Sequence, residues 1–126
     1  MDKDYVVFNG EYRIIDEDGY KAKITYNAFT FKELLKGIIV KYTGKSKEEA
    51  MNIIENSKSF LSIETFEDAS FFCSELDYHW AMLVSCGNEY WLNGFSEIPP
   101  SDYNEWIAEY IHKNNLKEYS FKFEKL

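Results

Sequence analysis

Two-residue alternation at both ends of the chain, with capped segments of helical period between them, is the pattern that most restricts the fold. From Tyr20 onward, Ala22, Ile24 and Tyr26 alternate with Lys21, Lys23 and Thr25; near the other end Tyr119, Phe121 and Phe123 alternate with Ser120, Lys122 and Glu124. Successive side chains on a strand point to opposite faces, so each stretch reads as a half-buried strand. Tyr5 to Phe8 is a further short apolar run, closed by Asn9-Gly10. Tyr12, Ile14 and Ile15 then lead into Asp16-Glu17-Asp18-Gly19, a turn sequence. Alternation resuming directly after such a turn is a hairpin signal.

The segments between are helical. Thr30-Phe31-Lys32-Glu33 matches a capping box, in which a hydroxyl accepts a free backbone N–H and the glutamate reaches back. Leu34, Leu35, Ile38 and Ile39 follow at helical spacing, and Thr43-Gly44 supplies a stop. A second box, Ser46-Lys47-Glu48-Glu49, opens a helix with Ala50, Met51, Ile53 and Ile54 on its apolar side, ending at Asn56 and Ser57. Ser101-Asp102 caps a third, with a stripe of Trp106, Ile107, Tyr110 and Ile111 and with Lys113 near the end, where a cation complements the helix dipole. Phe60 to Ile63 reads as a strand, and Phe66 to Leu76 fits either state. His79 to Cys86 and Glu89 to Leu92 read as a hairpin about Gly87-Asn88; weak alternation in the first suits a strand covered on both faces. Asn93-Gly94 opens a loop that runs through Ile98-Pro99-Pro100. The sum is an α+β fold, one domain over residues 1–126, with an antiparallel or mixed sheet and about three helices packed on it.

Composition supports a self-sufficient core. A chain of 126 residues with 45% apolar and 18% aromatic content has the size and the payload of a single folded domain. Two prolines and six glycines leave no room for a long linker. The amino terminus, Met-Asp-Lys-Asp-Tyr, is polar and not of signal-peptide type, and apolar runs such as Gly37 to Val40 and Trp80 to Val84 are too short to span a bilayer. The expected location is the cytoplasm, where Cys73 and Cys86 would be reduced thiols.

Charge is distributed unevenly. Between Ser59 and His112 lie ten carboxylates and no lysine or arginine, whereas the flanks hold twelve acids against fourteen bases. The net charge of −8 therefore arises in one segment, which also holds all three tryptophans, both histidines and both cysteines. Acids interleaved with Trp and Tyr suit a surface that docks on something basic, since opposite potentials steer encounter and aromatics anchor the contact. A solvated acidic shell that keeps the protein soluble is the competing explanation. The same balance opposes binding a nucleic-acid backbone or an anionic membrane.

Motifs for chemistry are sparse. A nucleophile needs a base oriented by a third group, and Cys73 with His79, oriented by Glu75 or Asp77, is the nearest arrangement. Cys73 follows two phenylalanines, so a core thiol is the simpler reading. Zinc would need three or four compact Cys, His or carboxylate ligands, and none are so spaced. Asp16-Glu17-Asp18-Gly19 lacks the alternate ligands and closing glutamate of a calcium loop. Gly44-Lys45-Ser46 lacks the upstream glycine of a phosphate loop. No cofactor or metal is expected. Glu105 and Glu109, one turn apart on the third helix, repel mildly, a cost that a basic partner would relieve.

The segment Asp77-Tyr-His-Trp-Ala-Met-Leu-Val, followed by Glu89-Tyr-Trp-Leu-Asn-Gly94, resembles sequences of small bacterial immunity proteins that accompany contact-dependent growth inhibition and other polymorphic toxin systems. The resemblance covers the central hairpin together with the generic size and acidity of the chain, and such proteins span many folds. It implies a cytoplasmic antidote, acting by binding alone, that seals a cognate toxin domain, commonly a basic nuclease. The interface would then lie on Glu64, Glu67, Asp68, Glu75, Asp77, Glu97, Asp102, Glu105 and Glu109. The alternatives are a small hydrolase-like enzyme using Cys73 and His79, and an adaptor that docks on a basic protein unconnected with any toxin.

Overall fold

The computed structural model describes residues 5–13 and 18–126. Three antiparallel strands form one sheet in the order β1 (Tyr5–Tyr12), β2 (Tyr20–Asn27), β3 (Phe121–Lys125). The alternating stretches at the two ends of the sequence are thus neighbours in space, with β2 central. Ile24 is opposite Phe8 on one side and Phe123 on the other. Ala22, Ile24 and Tyr26 are buried as the period of two requires, while Tyr26 stacks on Phe121 with ring centroids 5.0 Å apart. Ile14 and Ile15, and the Asp16-Glu17 half of the expected turn, lie outside the described residues.

Five α-helices fill the space between β2 and β3: α1 (Ala28–Thr43), α2 (Lys47–Asn56), α3 (Phe66–Cys73), α4 (Asp77–Cys86) and α5 (Tyr103–Lys113), with a 3₁₀ turn at Tyr90–Asn93. The α+β class holds, with more helices than the three expected. Helix α3 packs on all three strands, and α1 is surrounded by α2, α4 and α5. Phe31, Leu34, Leu35, Ile38 and Ile39 of α1 are all buried. Each such side chain contributes roughly 1.5–3 kcal/mol when fully removed from water, which makes α1 the organiser of the core.

Local signals account for several boundaries. Ser46 Oγ accepts the Glu49 N–H at 3.1 Å and Glu49 returns a bond to the Ser46 N–H at 3.0 Å, so the box that opens α2 is formed as read. The box placed at Thr30 is not formed. Helix α1 starts at Ala28, and buried Thr30 instead accepts the Lys117 N–H at 3.0 Å. Asn27 donates its side-chain amide to Tyr119 O and its backbone N–H to Ser120 O, both at 2.8 Å. These polar groups serve tertiary closure of the chain ends, which a local reading assigns to capping. Asn9-Gly10 is likewise not a break, since β1 runs through it to Tyr12.

The hairpin expected from His79 to Leu92 is instead helix α4 followed by the 3₁₀ turn, and the strand expected at Phe60 to Ile63 is a turn with no ladder partner among the described residues. Gly87, with φ of +88°, ends α4. Tyr78, Trp80, Ala81 and Met82 are all buried, because α4 is covered by α1, α2 and the 3₁₀ turn. A short helix covered on several sides shows neither alternation nor a clean amphipathic stripe. The ambiguous stretch after Phe66 is α3, secured to α4 by the Trp80 indole N–H donating to Phe72 O at 2.9 Å.

Candidate functional site

The Ser74–Leu76 link between α3 and α4 stands as a ridge between two cavities, and Glu75 and Leu76 line both. Leu76 is 57% exposed at its crest. On one side is an open cavity of about 250 Å³ lined by Glu75, Tyr78, His79, Tyr90, Trp91 and Glu97. Its aromatic floor is fixed from below. Tyr78 donates its hydroxyl to Ser96 O at 2.7 Å, which anchors the loop that carries Glu97. Buried Tyr90 pairs its hydroxyl with His79 Nδ1 at 3.1 Å, and Trp91 meets the Tyr90 ring edge-on at 5.1 Å while remaining 39% exposed. Two residues of left-handed backbone build this corner, Gly87 and Glu89 (φ +59°), turning the chain so that Tyr90 points inward directly after α4 ends.

Electrostatics converge on the same place. The Tyr90 phenol is pushed up from its ordinary pKa, first by burial, then by Tyr78, Glu97 and Glu75. Two carboxylates therefore bear on one aromatic pocket. Neither makes an ion pair with a lysine or arginine among the described residues. Carboxylates at the rim of an aromatic cavity suit a cationic side chain, which gains charge attraction from the acids and quadrupole attraction from the rings.

The other acids named from the sequence fall in separate places. Glu64 lines a different cavity together with Lys32 and Lys58, so its surroundings carry mixed charge. Asp68 caps α3: its carboxylate accepts the Glu64 N–H at 3.0 Å and the Thr65 N–H at 3.2 Å, and Thr65 Oγ1 accepts the Asp68 N–H at 3.1 Å. Those bonds, the Glu64 one foremost, hold Asp68 below the ordinary carboxylate range. Glu67 is exposed in the first turn of the same helix. Asp102 accepts Lys41 Nζ at 3.1 Å and the Tyr42 hydroxyl at 3.0 Å, and Lys41 is the first cause of its lowered pKa. Glu105 and Glu109 are exposed on α5 with no ion pair among the described residues. Asp68 and Asp102 thus have structural partners, whereas Glu67, Glu75, Glu97, Glu105 and Glu109 present charge to solvent.

Asp77 departs furthest from the sequence reading. The sequence puts it among surface carboxylates, yet it is half-buried beside the ridge and its carboxylate accepts the Ser120 hydroxyl at 2.8 Å. Ser120, buried just before β3, supplies a donor that no neighbour in sequence offers, and that bond draws the carboxylate inward.

No hydrogen bond joins Cys73 to His79, whose Nδ1 is paired with the Tyr90 hydroxyl. Cys73 lines the cavity on the Asp77 side and His79 the cavity on the Tyr90 side. Burial, then the charge of Asp77, pushes the Cys73 thiol up, the opposite of what activates a nucleophile. No group of three metal-ligating side chains occurs among the described residues, and no helix there is long and apolar enough to cross a membrane. No family model matches the chain, nor does any curated protein or solved structure.

Proposed function

We propose that the protein is an inhibitory binding protein, an immunity protein that docks on a basic toxin domain, a nuclease by preference, through the acidic face around Glu75 and Glu97. The observation that carries this reading is the pairing of those two unneutralised carboxylates with the Tyr90–Trp91 pocket. A nuclease cleft is built to hold phosphate, so a rigid acidic surface can occupy it, with aromatics as anchors at the centre. Leu76 and Trp91 give that surface exposed apolar area between the charges. The resemblance of the α4 segment to immunity proteins points the same way.

The test is binding and protection. The protein should bind a toxin domain encoded beside its own gene and restore growth to cells that express that domain. Glu75→Lys with Glu97→Lys should abolish protection without loss of the folded protein. An adaptor for a non-toxin basic protein would use the same surface, and a partner with no toxicity of its own would decide for it. Turnover of any substrate that needs Cys73 would favour the enzyme.

A further inference from the structure

The second cavity, on the other side of the ridge, is larger, about 350 Å³, and has a different design. Leu34, Ile107 and Phe121 form apolar walls; its polar lining includes Asp77, Ser120, Tyr103 and Asn104, with Glu75 and Glu118 also on it. Asp77 Oδ2 is held by Ser120. No enclosed side-chain oxygen lacks a partner among the described residues, and nothing bonds Oδ1, so that oxygen opens to the cavity. No lysine, arginine or histidine lines this cavity. The groups that face Asp77 are Cys73 from α3, Tyr103 from α5, Tyr26 from β2, Ser120 before β3, and the flanking Glu75 and Glu118.

We propose that this cavity is a socket for one alkylguanidinium or alkylammonium group, the end of a basic side chain on the docking partner, with the Asp77 carboxylate as its counter-charge. The assignment of the partner as the source rests on the binding function proposed above; the socket itself does not.

A half-buried carboxylate with a single hydroxyl donor and no cation in the cavity lining is unfavourable for the folded protein, and desolvation pushes its pKa up to about 6 against the pull of Ser120. At neutral pH it is nonetheless ionised, a negative charge with no lysine, arginine or histidine in the cavity lining to neutralise it. Apolar walls leading to a charge suit the methylene stem of a long basic side chain, which buries its carbons and presents its head. A guanidinium reaching Oδ1 would form a charge-assisted bond with it. Leu76 and Glu75 belong to both cavities, so a partner seated on the ridge can fill the two together.

The probe is n-butylguanidinium, with neutral n-butylurea as its isostere, and the readout is the Asp77 carboxyl resonance followed by carbon NMR against pH. Butylguanidinium should bind saturably, move the Asp77 midpoint down by at least half a pH unit, and lose at least tenfold in affinity in Asp77→Asn; butylurea should do neither. An unmoved Asp77 titration, or equal binding to Asp77→Asn, overturns the socket. The wild-type titration needs no variant, so a poorly folded Asp77→Asn leaves the test intact. Ser120→Ala, which keeps the carboxylate and removes its donor, should raise the midpoint and retain the response. These measurements use no partner protein, so they can fail while acidic docking stands, or succeed while it falls. With a toxin domain bound, butylguanidinium should be excluded; simultaneous binding of both would overturn the assignment of the socket to a partner side chain.

Discussion

Ser120 donates its hydroxyl to the carboxylate of Asp77 at 2.8 Å, joining the approach to β3 to the first turn of α4 across 43 positions of sequence. This bond offsets part of the cost of desolvating Asp77, whose pKa still rises from 3.8 to about 6. Between roughly pH 4 and 6 the folded protein keeps a proton that the unfolded chain has released, so stability falls as pH rises through that window and is level above it. The full difference is roughly 3 kcal/mol as an upper bound. Asp77→Asn should therefore melt higher than wild type at pH 7 and match it near pH 4. Thermal melts at the two pH values check this; parallel curves for the two proteins would show that Asp77 titrates normally.

Gly10 of β1 faces Phe66, and a β-carbon there would overlap the Phe66 ring. The ring is buried at the start of α3, so relief requires the helix itself to move. Gly10→Ala should cost about 1–3 kcal/mol by overpacking, more than the small backbone gain of replacing a strand glycine. In a Phe66→Ala background the same change should be neutral or favourable. Denaturant midpoints across the double-mutant cycle measure the coupling, and additive effects would contradict the contact.

These two pairs also mark what could be read in advance. Tyr20 to Tyr26 declared itself as a strand because Ala22, Ile24 and Tyr26 are buried on one face; Tyr119 to Glu124 did so by alternation alone, since Tyr119 and Phe123 are exposed and β3 begins only at Phe121; and Ser46-Glu49 capped its helix because that box closes within one turn. Thr65-Phe-Glu-Asp68 is the same box with aspartate in place of glutamate, so α3 was legible to a wider rule. Helix α4 was not, since cover on several sides erases its period. Gly10 looked like a turn residue because Phe66, which needs the space, lies far along the chain. The acidic segment was legible as charge but not as geometry: Glu64 sits with two lysines, Asp102 pairs with Lys41, and Asp77 turns inward, leaving Glu75 and Glu97 to share one pocket.

Asp102 and the α5 glutamates should separate in their effects on stability. Asp102 joins the ends of α1 and the loop before α5 through Lys41 and Tyr42, and its pKa lies below the ordinary value. A depressed carboxylate stabilises above the unfolded pKa and loses that contribution as pH falls through the folded one. Asp102→Asn should lower the melting temperature at pH 7, with the gap closing under strong acid. Glu105→Lys and Glu109→Lys, which relieve like-charge repulsion one turn apart, should leave it unchanged or raise it. Melting temperatures for the three variants check the order, and an Asp102→Asn melt equal to wild type would remove the structural role.

The most direct test of acidic docking is the association rate with the toxin domain encoded beside the gene, measured from low to high salt for wild type and for Glu75→Lys with Glu97→Lys. Steered association can reach on the order of 10⁸ M⁻¹s⁻¹ at low salt and falls steeply with ionic strength. The account predicts that the wild-type rate drops with salt, while the doubly reversed protein melts like wild type yet associates at least tenfold more slowly at low salt and with a shallower salt dependence. Equal rates for the two proteins, unchanged by salt, would contradict it.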